Sequence, residues 1–189
     1  KLNSLIALVD TAYDEYEPTR AARAIQDFVI DDLSNWYVRL NRKRFWKPAA
    51  LESQANSKDK TAAYQTLYTC LETVAKLAAP ISPFYMDRLF ADLNAVSGRD
   101  KAISIHLTNF PVADEAAFDK DLEMKMNLAQ QVSSLVHSLR KKHTIKVRQP
   151  LSRILIPVLS DKTRHQIEAV KDLILSEVNV KEIEYIDDT

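Results

Sequence analysis

A single glycine in 189 residues is the feature that most limits how this chain can fold. Glycine supplies the backbone conformations of tight hairpin turns and of loops that wrap around phosphate groups, and here it occurs only at Gly98. Apolar residues instead recur at helical spacing over long segments. The sequence therefore predicts a mainly α fold, and it argues against dinucleotide-binding turns and the phosphate-binding loop of nucleotide hydrolases.

Five helices are predicted from the apolar periodicity and from the residues that begin or end each helix. Pro18 suits the first position of the second helix, and Pro80 ends the third. Ser82 and Pro83 suit the N-cap and the first residue of the fourth helix. The predicted helices are approximately Leu2–Glu15, Pro18–Trp46 ending before Pro48, Lys60 to Pro80, Pro83 to Gly98, and Leu122–Leu139.

Two segments between these helices are predicted to be irregular or extended. Residues 53–60 are polar and predict a loop. Over residues 103–108, isoleucine and leucine alternate with polar residues, which predicts a short extended segment.

The composition changes after Pro150. Residues 153–158 have the β-branched content of a strand, and Pro157 places this strand at an edge or a bulge. Asp161 can cap a following helix, and residues around Ile183 alternate as a strand does. The sequence thus predicts a strand-helix-strand appendage, and the predicted domains are a helical domain at residues 1–149 and a small α/β segment at residues 150–189.

Clustered cations and a tryptophan follow the apolar face of the second predicted helix. On a helical projection this face runs from Ile25 to Leu40, and most of the cations fall within an arc of about 100° beside it. Guanidinium groups match phosphate oxygens in pairs, and an indole ring can stack on an unpaired base. This cluster, the first basic strip, is a candidate nucleic-acid site formed by Arg39, Arg42, Lys43, Arg44 and Trp46.

A second basic stretch at residues 140–148 is weaker support, because lysine-rich helix ends are usually solvated. The chain has 26 Lys plus Arg against 26 Asp plus Glu, so any RNA site must be local rather than spread over a basic surface. From this stretch we take a second candidate set, the second basic strip, formed by Lys142, Lys146 and Arg148.

Other interpretations of the first basic strip stay open on the residues alone. Cations at the end of a helix also complement the negative end of its dipole, and Trp46 could cap the core. A helical protein-interaction module could present the same aromatic and cationic surface to an acidic partner. A test with RNA distinguishes these functions.

The sequence carries no set of residues for stand-alone catalysis. Its four histidines lack metal-binding spacing, and Cys70 is alone, so we predict no catalytic residue, no metal ligand and no cofactor within the chain. Cys70 lies at helical spacing among apolar residues, which predicts a buried thiol. Charges interrupt every apolar run and no signal peptide is present, so we expect a cytoplasmic fragment, since the chain begins at Lys1.

Several motifs resemble the isoleucyl-tRNA synthetase family, in the order in which that family has them and over most of the chain. The resemblance is carried by Tyr13–Glu17, Leu33–Leu40 (Leu-Ser-Asn-Trp-Tyr-Val-Arg-Leu) with Arg42, Arg44, Phe45 and Trp46, Leu77–Phe84, Ser104–Pro111, Val147–Leu151 and Asn179–Glu182. The proline hinge at Leu77–Phe84 also fits valyl and leucyl relatives. The Ser-Asn-Trp-Tyr and Arg-Gln-Pro-Leu segments favour the isoleucyl member.

The resemblance implies an anticodon-binding helix bundle of a class I synthetase, followed by the start of a C-terminal junction. Its implied partners are isoleucine tRNA, held through the two basic strips, and the rest of the parent synthetase; no membrane partner is implied. ATP and magnesium would serve a catalytic part outside this chain, because the His-Ile-Gly-His and Lys-Met-Ser-Lys-Ser signatures of class I enzymes are missing here. The equivalent domain of a valyl or leucyl enzyme is the alternative.

Overall fold

The computed structural model describes residues 1–46, 54–158 and 160–187 of the chain. It divides into two compact units, Lys1–Phe118 and Asp119–Thr189. The fold is mainly helical with a small α/β part, which confirms the predicted fold class. Among the described residues, no helix combines the length and the apolar character needed to cross a membrane.

The first unit is a helical bundle. Its core joins the first two helices, the π-helix that follows them and the longest helix, and Tyr13 adds a hydrogen bond from its hydroxyl to the Leu77 carbonyl at 2.8 Å. Cys70 lies in this core as predicted, and burial raises the pKa of its thiol. The helices are α1 (Leu2–Asp14), α2 (Pro18–Asp27), a π-helix (Phe28–Val38), α3 (Arg42–Phe45), α4 (Gln54–Ala78) and α5 (Pro83–Ser97).

The second predicted helix is interrupted rather than uniform. Residues Phe28–Val38 form a π-helix, and a turn at Asn41 separates it from α3. Phe28 and Leu33, five positions apart, both face the core, which fits the wider turn of a π-helix. The apolar spacing alone did not distinguish this geometry from an α-helix, and the predicted end before Pro48 lies outside the described residues.

The loop predicted at residues 53–60 is wrong for its described part, because α4 already begins at Gln54. Ser57, Lys58 and Asp59 are exposed on the first turns of that helix. Polar side chains on a solvent-facing helix produce the same composition as a loop. Ser53 lies outside the described residues.

The extended segment predicted at residues 103–108 is also wrong, since Ile105–Leu107 form a 3-10 turn. One carboxylate oxygen of Asp87 accepts hydrogen bonds from the Ser104 hydroxyl at 2.7 Å and the Ile105 amide at 2.9 Å. These two bonds fold the segment back onto α5, and they lower the pKa of Asp87. Only the middle of the three alternating apolar residues, Ile105, is buried.

The second unit places three helices beside a two-stranded parallel sheet. In that sheet Ile154 is paired with Ile183 and Ile156 with Tyr185. The single helix predicted after Asp161 is divided in two around Val170, so the appendage is strand-helix-helix-strand. The elements are α6 (Lys120–Lys142), β1 (Leu151–Val158), α7 (Asp161–Glu168), α8 (Lys171–Val178) and β2 (Val180–Asp187).

The division between the units differs from the predicted boundary after residue 149. Helix α6 packs on α7 and α8, so it belongs with the sheet, and the second unit begins at Asp119. Small residues Ala129 and Ser133 on α6 allow this close approach. The composition change at Pro150 marked the first strand but gave no sign of the packing partner of α6.

Candidate nucleic-acid interface

The first basic strip is fixed to the first unit through Phe45, which is buried at the end of α3. Its ring lies 5.0 Å from the ring of Tyr64 and 6.4 Å from that of Tyr37, measured between centroids. The Tyr37 hydroxyl in turn donates to the Ala63 carbonyl at 3.0 Å. These aromatic contacts hold α3 against α4, while Arg42 and Lys43 on the same short helix are exposed.

Arg44 forms a second tie between α3 and α4. Its Nε and Nη2 atoms donate to the two carboxylate oxygens of Asp59 at 2.9 and 2.6 Å, and Nη2 also donates to the Asp59 carbonyl at 3.0 Å. Its Nη1 atom donates to the Asn41 side chain at 2.6 Å. The hydrogen bond to Asp59 is the main cause that raises the pKa of Arg44. Arg44 therefore positions the strip, and its predicted contact with phosphate would have to displace Asp59.

The two tryptophans of the first unit have opposite environments. Trp36 is 8% exposed, and Trp46 is 68% exposed with an edge contact to the Phe45 ring at 6.4 Å. Trp36 is thus a core residue. Trp46 has the exposed indole surface that stacking on a base requires.

Arg39 and Arg42 share the exposed side of the strip. Partial burial, and then the positive charge of Arg42, lower the pKa of Arg39 from its usual value. The repulsion between two guanidinium groups is relieved when an anion binds between or beside them. Among the described residues, Arg42 and Lys43 make no ion pair. The strip therefore presents positive charge that an incoming phosphate can neutralise.

The second basic strip lies in the second unit, where all three of its residues are exposed. Lys142 is at the end of α6, and Lys146 and Arg148 lie in the loop that connects α6 to β1. That loop turns at Thr144, which has a positive φ of 56°. The structure thus groups these three cations on one connection.

Arg140 belongs to the predicted basic stretch at residues 140–148, but the sequence did not predict its buried position or the contacts that it makes there. It is 2% exposed, and its guanidinium donates to four carbonyls: Lys146 at 3.1 Å, Gln149 at 3.0 Å, Val178 at 2.9 Å and Asn179 at 3.0 Å. Two of these carbonyls belong to the loop of the second basic strip, and two lie at the end of α8. Arg140 therefore joins the loop to the unit's core.

A signal for Arg140 was present in the sequence. Arg140 follows the buried residues of α6 at helical spacing, after Ala129, Ser133 and Val136. Asp59, the partner of Arg44, carried no such signal, because residues 53–60 had the composition of a loop. Among the described residues, no group of three or more His, Cys, Asp or Glu side chains converges as a metal site requires.

Residues 1–156 match the family described as the anticodon-binding domain of tRNA ligase. The chain is 66% identical over its whole length to an isoleucine–tRNA ligase of Cytophaga hutchinsonii, of which it covers 16%. It is 60% identical over 98% of its length to one of Bacteroides fragilis, of which it also covers 16%. A Dehalococcoides mccartyi isoleucine–tRNA ligase is 44% identical over 96% of the chain, which covers 17% of that protein.

The chain spans about a sixth of the length of these curated relatives. Because the family match covers residues 1–156, well over half of the chain, the protein belongs to the anticodon-binding domain family of tRNA ligases.

Proposed function

We propose that this chain binds the anticodon arm of isoleucine tRNA within an isoleucine–tRNA ligase. Its family and the names of its relatives support this assignment. In such a parent protein, ATP and magnesium serve the activation of isoleucine in a part outside this chain, and the compartment is the cytoplasm. The chain's own task is to hold the tRNA so that its 3′ end reaches that part.

The observation that carries the proposal is an exposed tryptophan beside exposed cations on an anchored turn. Trp46, Arg42 and Lys43 point outward, while Phe45 between them is buried among aromatic rings. Because Phe45 fixes the backbone, less conformational freedom is lost when RNA binds. Phosphates then meet the cations and a splayed base meets the indole.

The second basic strip adds phosphate contacts from the second unit. Lys142, Lys146 and Arg148 are exposed, and Arg140 fixes the loop that carries two of them. Phosphate contacts give affinity and orientation, whereas discrimination between anticodons needs contacts with base edges or stacked bases. In this proposal the strips supply affinity, and Trp46 supplies the stacking.

The salt dependence of tRNA binding tests the cations. If Arg39 and Arg42 each neutralise one phosphate, each alanine substitution lowers the slope of log affinity against log salt by roughly 0.7 to 0.9. Arg23→Ala is the matched control, because Arg23 is exposed on α2 outside the strip, and its slope should match the wild type. An unchanged slope in both strip variants would remove these arginines from the site.

The stacking role of Trp46 has a separate test. Trp46→Ala should lower RNA affinity by about 1 to 3 kcal/mol while the helical circular dichroism signal stays the same. Loss of helicity in this variant would show that Trp46 supports the fold instead. Trp46→Phe keeps an aromatic face and should recover part of the affinity.

The identity of the RNA is tested by competition. Isoleucine tRNA should bind more tightly than an unrelated RNA of equal charge, and replacing its anticodon should remove the difference. Preference for a valine or leucine tRNA would assign the domain to those enzymes. Equal binding of all RNAs would contradict the proposal and favour a protein-interaction module.

A further inference from the structure

A groove of about 490 Å³ lies between α4 and α5 in the first unit. Its volume is in the range of about 300 to 1,000 Å³ that is usual for ligand pockets. Tyrosine and leucine side chains of α4 form one wall, and the last turns of α5 form the other. This surface, the α4–α5 groove, is mainly apolar, and its lining includes Tyr64, Tyr68, Leu71, Leu93, Val96 and Arg99.

Tyr64 connects the α4–α5 groove to the first basic strip. Its ring lies 5.0 Å from the ring of Phe45, and its hydroxyl donates to the Phe45 carbonyl at 3.4 Å. Tyr64 is nevertheless 48% exposed and lines the groove. On the other side of Phe45, the Trp46 ring follows at 6.4 Å. The groove and the exposed indole therefore share one aromatic anchor, and neighbouring nucleotides of an unpaired strand can reach both.

The α4–α5 groove carries one positive charge and no carboxylate. Arg99 is the one charged residue among those that line it, all within the part of the chain that the structure describes. Its guanidinium lies 5.0 Å from the centroid of the Tyr68 ring, and the hydroxyls of Tyr68 and Ser97 share a hydrogen bond at 2.7 Å. Within the described residues, Arg99 forms no ion pair. Stacking on Tyr68 thus holds a cation at the groove with its charge available to an anion.

We propose that the α4–α5 groove binds an unpaired base of the RNA, next to the base that stacks on Trp46, and that Arg99 contacts the phosphate of that nucleotide. This inference rests on the proposed function. Unpaired bases stack on aromatic rings and on guanidinium planes, and Tyr64 and Tyr68 lie one helical turn apart on α4. The Gln65 amide and the Ser97 hydroxyl also line the groove and can bond to the edge of a base.

An apolar protein segment fits this groove less well. It would cover the leucine and tyrosine side chains, but it would leave Arg99 without an anion. A nucleotide supplies both a flat ring for the apolar walls and a phosphate for the guanidinium. The charge of the groove therefore favours RNA as its occupant.

Methyl NMR spectra of the 189-residue chain, titrated with the anticodon stem-loop RNA of isoleucine tRNA, test the inference. The methyl signals of Leu71, Leu93 and Val96 should shift, because a bound base lies against them, and they should saturate together with the Trp46 indole signal. Leu8, exposed on α1, is the internal control and should not shift.

The same titration separates the two proposals. Shifts of the Trp46 indole without shifts of the groove methyls would overturn this inference, leave the proposed function intact and favour a protein segment as the occupant. If neither the indole nor the methyls respond to RNA, the proposed function is contradicted, and the inference fails with it.

Val96→Glu tests the contact itself, with Ala95→Glu as its matched control. Val96 is 89% exposed and lines the groove, whereas Ala95 is an exposed neighbour on α5 outside the lining. Both substitutions add one negative charge to the same turn of α5. Val96→Glu should weaken RNA binding at least about fivefold more than Ala95→Glu, because it displaces a stacked base. Equal losses would show that RNA responds only to net charge, and they would overturn the inference.

Arg99→Gln tests the phosphate contact through the salt dependence of RNA binding. If Arg99 neutralises one phosphate of an unpaired strand, the slope of log affinity against log salt should fall by roughly 0.7. Lys101→Gln is the matched control, because Lys101 is exposed nearby and does not line the groove, so its slope should match the wild type. An unchanged slope in Arg99→Gln would overturn the assignment of this groove to RNA.

Discussion

The two basic strips are held in place by arginines in opposite environments. Arg44 is partly exposed and pairs with the carboxylate of Asp59 at 2.6 Å. Arg140 is buried, and its guanidinium donates to four backbone carbonyls, two of them at the end of α8. The first strip is therefore held by a solvated ion pair and an aromatic cluster, and the second by one buried cation.

The contrast between Arg44 and Arg140 shows where stability is concentrated. An exposed ion pair gains little, because water solvates both charges when they separate. Water does not solvate a buried guanidinium that loses its hydrogen bonds in this way. The same holds for four carbonyls that lose their donor. The negative end of the α8 dipole also favours a cation at Val178 and Asn179. We therefore expect Arg140 to matter much more for folding than Arg44.

Replacement of Arg140 gives the largest expected effect. Arg140→Met keeps the volume but removes the donors to four carbonyls, and it should destabilise the second unit by about 3 to 5 kcal/mol. Urea unfolding followed by amide exchange at Val178 and Ile183 measures this loss. Both tryptophans lie in the first unit, so the fluorescence transition of that unit should not change.

Lys141→Met is the matched control for Arg140→Met. Lys141 is the exposed neighbour on α6, and its loss should change stability by less than about 0.5 kcal/mol. Equal effects of the two substitutions would show that the carbonyl contacts of Arg140 contribute little. Arg140→Lys, which keeps the charge but not the forked geometry, should fall between them.

Phe45→Ala tests the anchor of the first strip. Removing a buried aromatic ring from contact with Tyr37 and Tyr64 should cost about 3 kcal/mol and release α3 from α4. RNA affinity should fall together with stability, because Arg42 and Trp46 lose their fixed backbone. Phe45→Leu retains apolar volume and should recover most of both. Unaltered RNA binding in the alanine variant would show that the buried Phe45 ring does not position the RNA-binding residues.

The sequence predicted the exposed parts of both strips better than the residues that hold them. Arg42 and Trp46 were recognisable because a cation or indole beside an apolar face needs no long-range partner to be noticed. Asp59 and Asp87 were not, because each contacts a group 15 or more positions away in the chain. Such pairings depend on tertiary packing, which local composition does not encode.

Helical content could be predicted from apolar spacing, whereas the type of helix could not. Phe28 and Leu33 lie five positions apart and both face one core, which fits the wider turn of a π-helix. The sequence alone did not show that these two residues face the same core. The boundary between the units was hidden for a related reason. Helix α6 has an ordinary amphipathic pattern, and nothing in that pattern states that it packs on α7 and α8.

Arg44→Ala should have a much smaller effect on stability than Arg140→Met. In its ion pair with Asp59, Arg44 is partly exposed and Asp59 is exposed, so the expected loss is about 1 kcal/mol or less, and it should shrink at high salt. Asp59→Ala removes the same pair and should give a similar stability loss. A stability loss as large as that of Arg140→Met would show that the two strips do not differ in how strongly their arginines stabilise the fold.

The same variants separate positioning from phosphate binding at Arg44. If Arg44 only positions the strip, Arg44→Ala and Asp59→Ala should weaken RNA binding to a similar extent. If Arg44 contacts phosphate, Asp59→Ala frees the guanidinium and should strengthen binding, while Arg44→Ala weakens it. The sign of the Asp59→Ala effect on affinity therefore assigns the role of Arg44.

The smallest expected effect concerns two residues with a positive φ, one in the loop of the second strip and one at the end of α8. Thr144 is β-branched with φ of 56°, and Asn179 has φ of 52° and donates its side-chain amide to the Val147 carbonyl at 2.9 Å. Thr144→Gly should stabilise the second unit by about 0.5 to 1 kcal/mol, because glycine adopts this conformation without strain. Asn179→Gly relieves less strain, because asparagine tolerates a positive φ, and it loses a hydrogen bond, so it should be neutral or destabilising. Thermal unfolding of the two variants measures the difference. Equal gains would mean that the Asn179 side chain adds nothing to Arg140 in holding the loop, and that the buried guanidinium alone fixes the second basic strip.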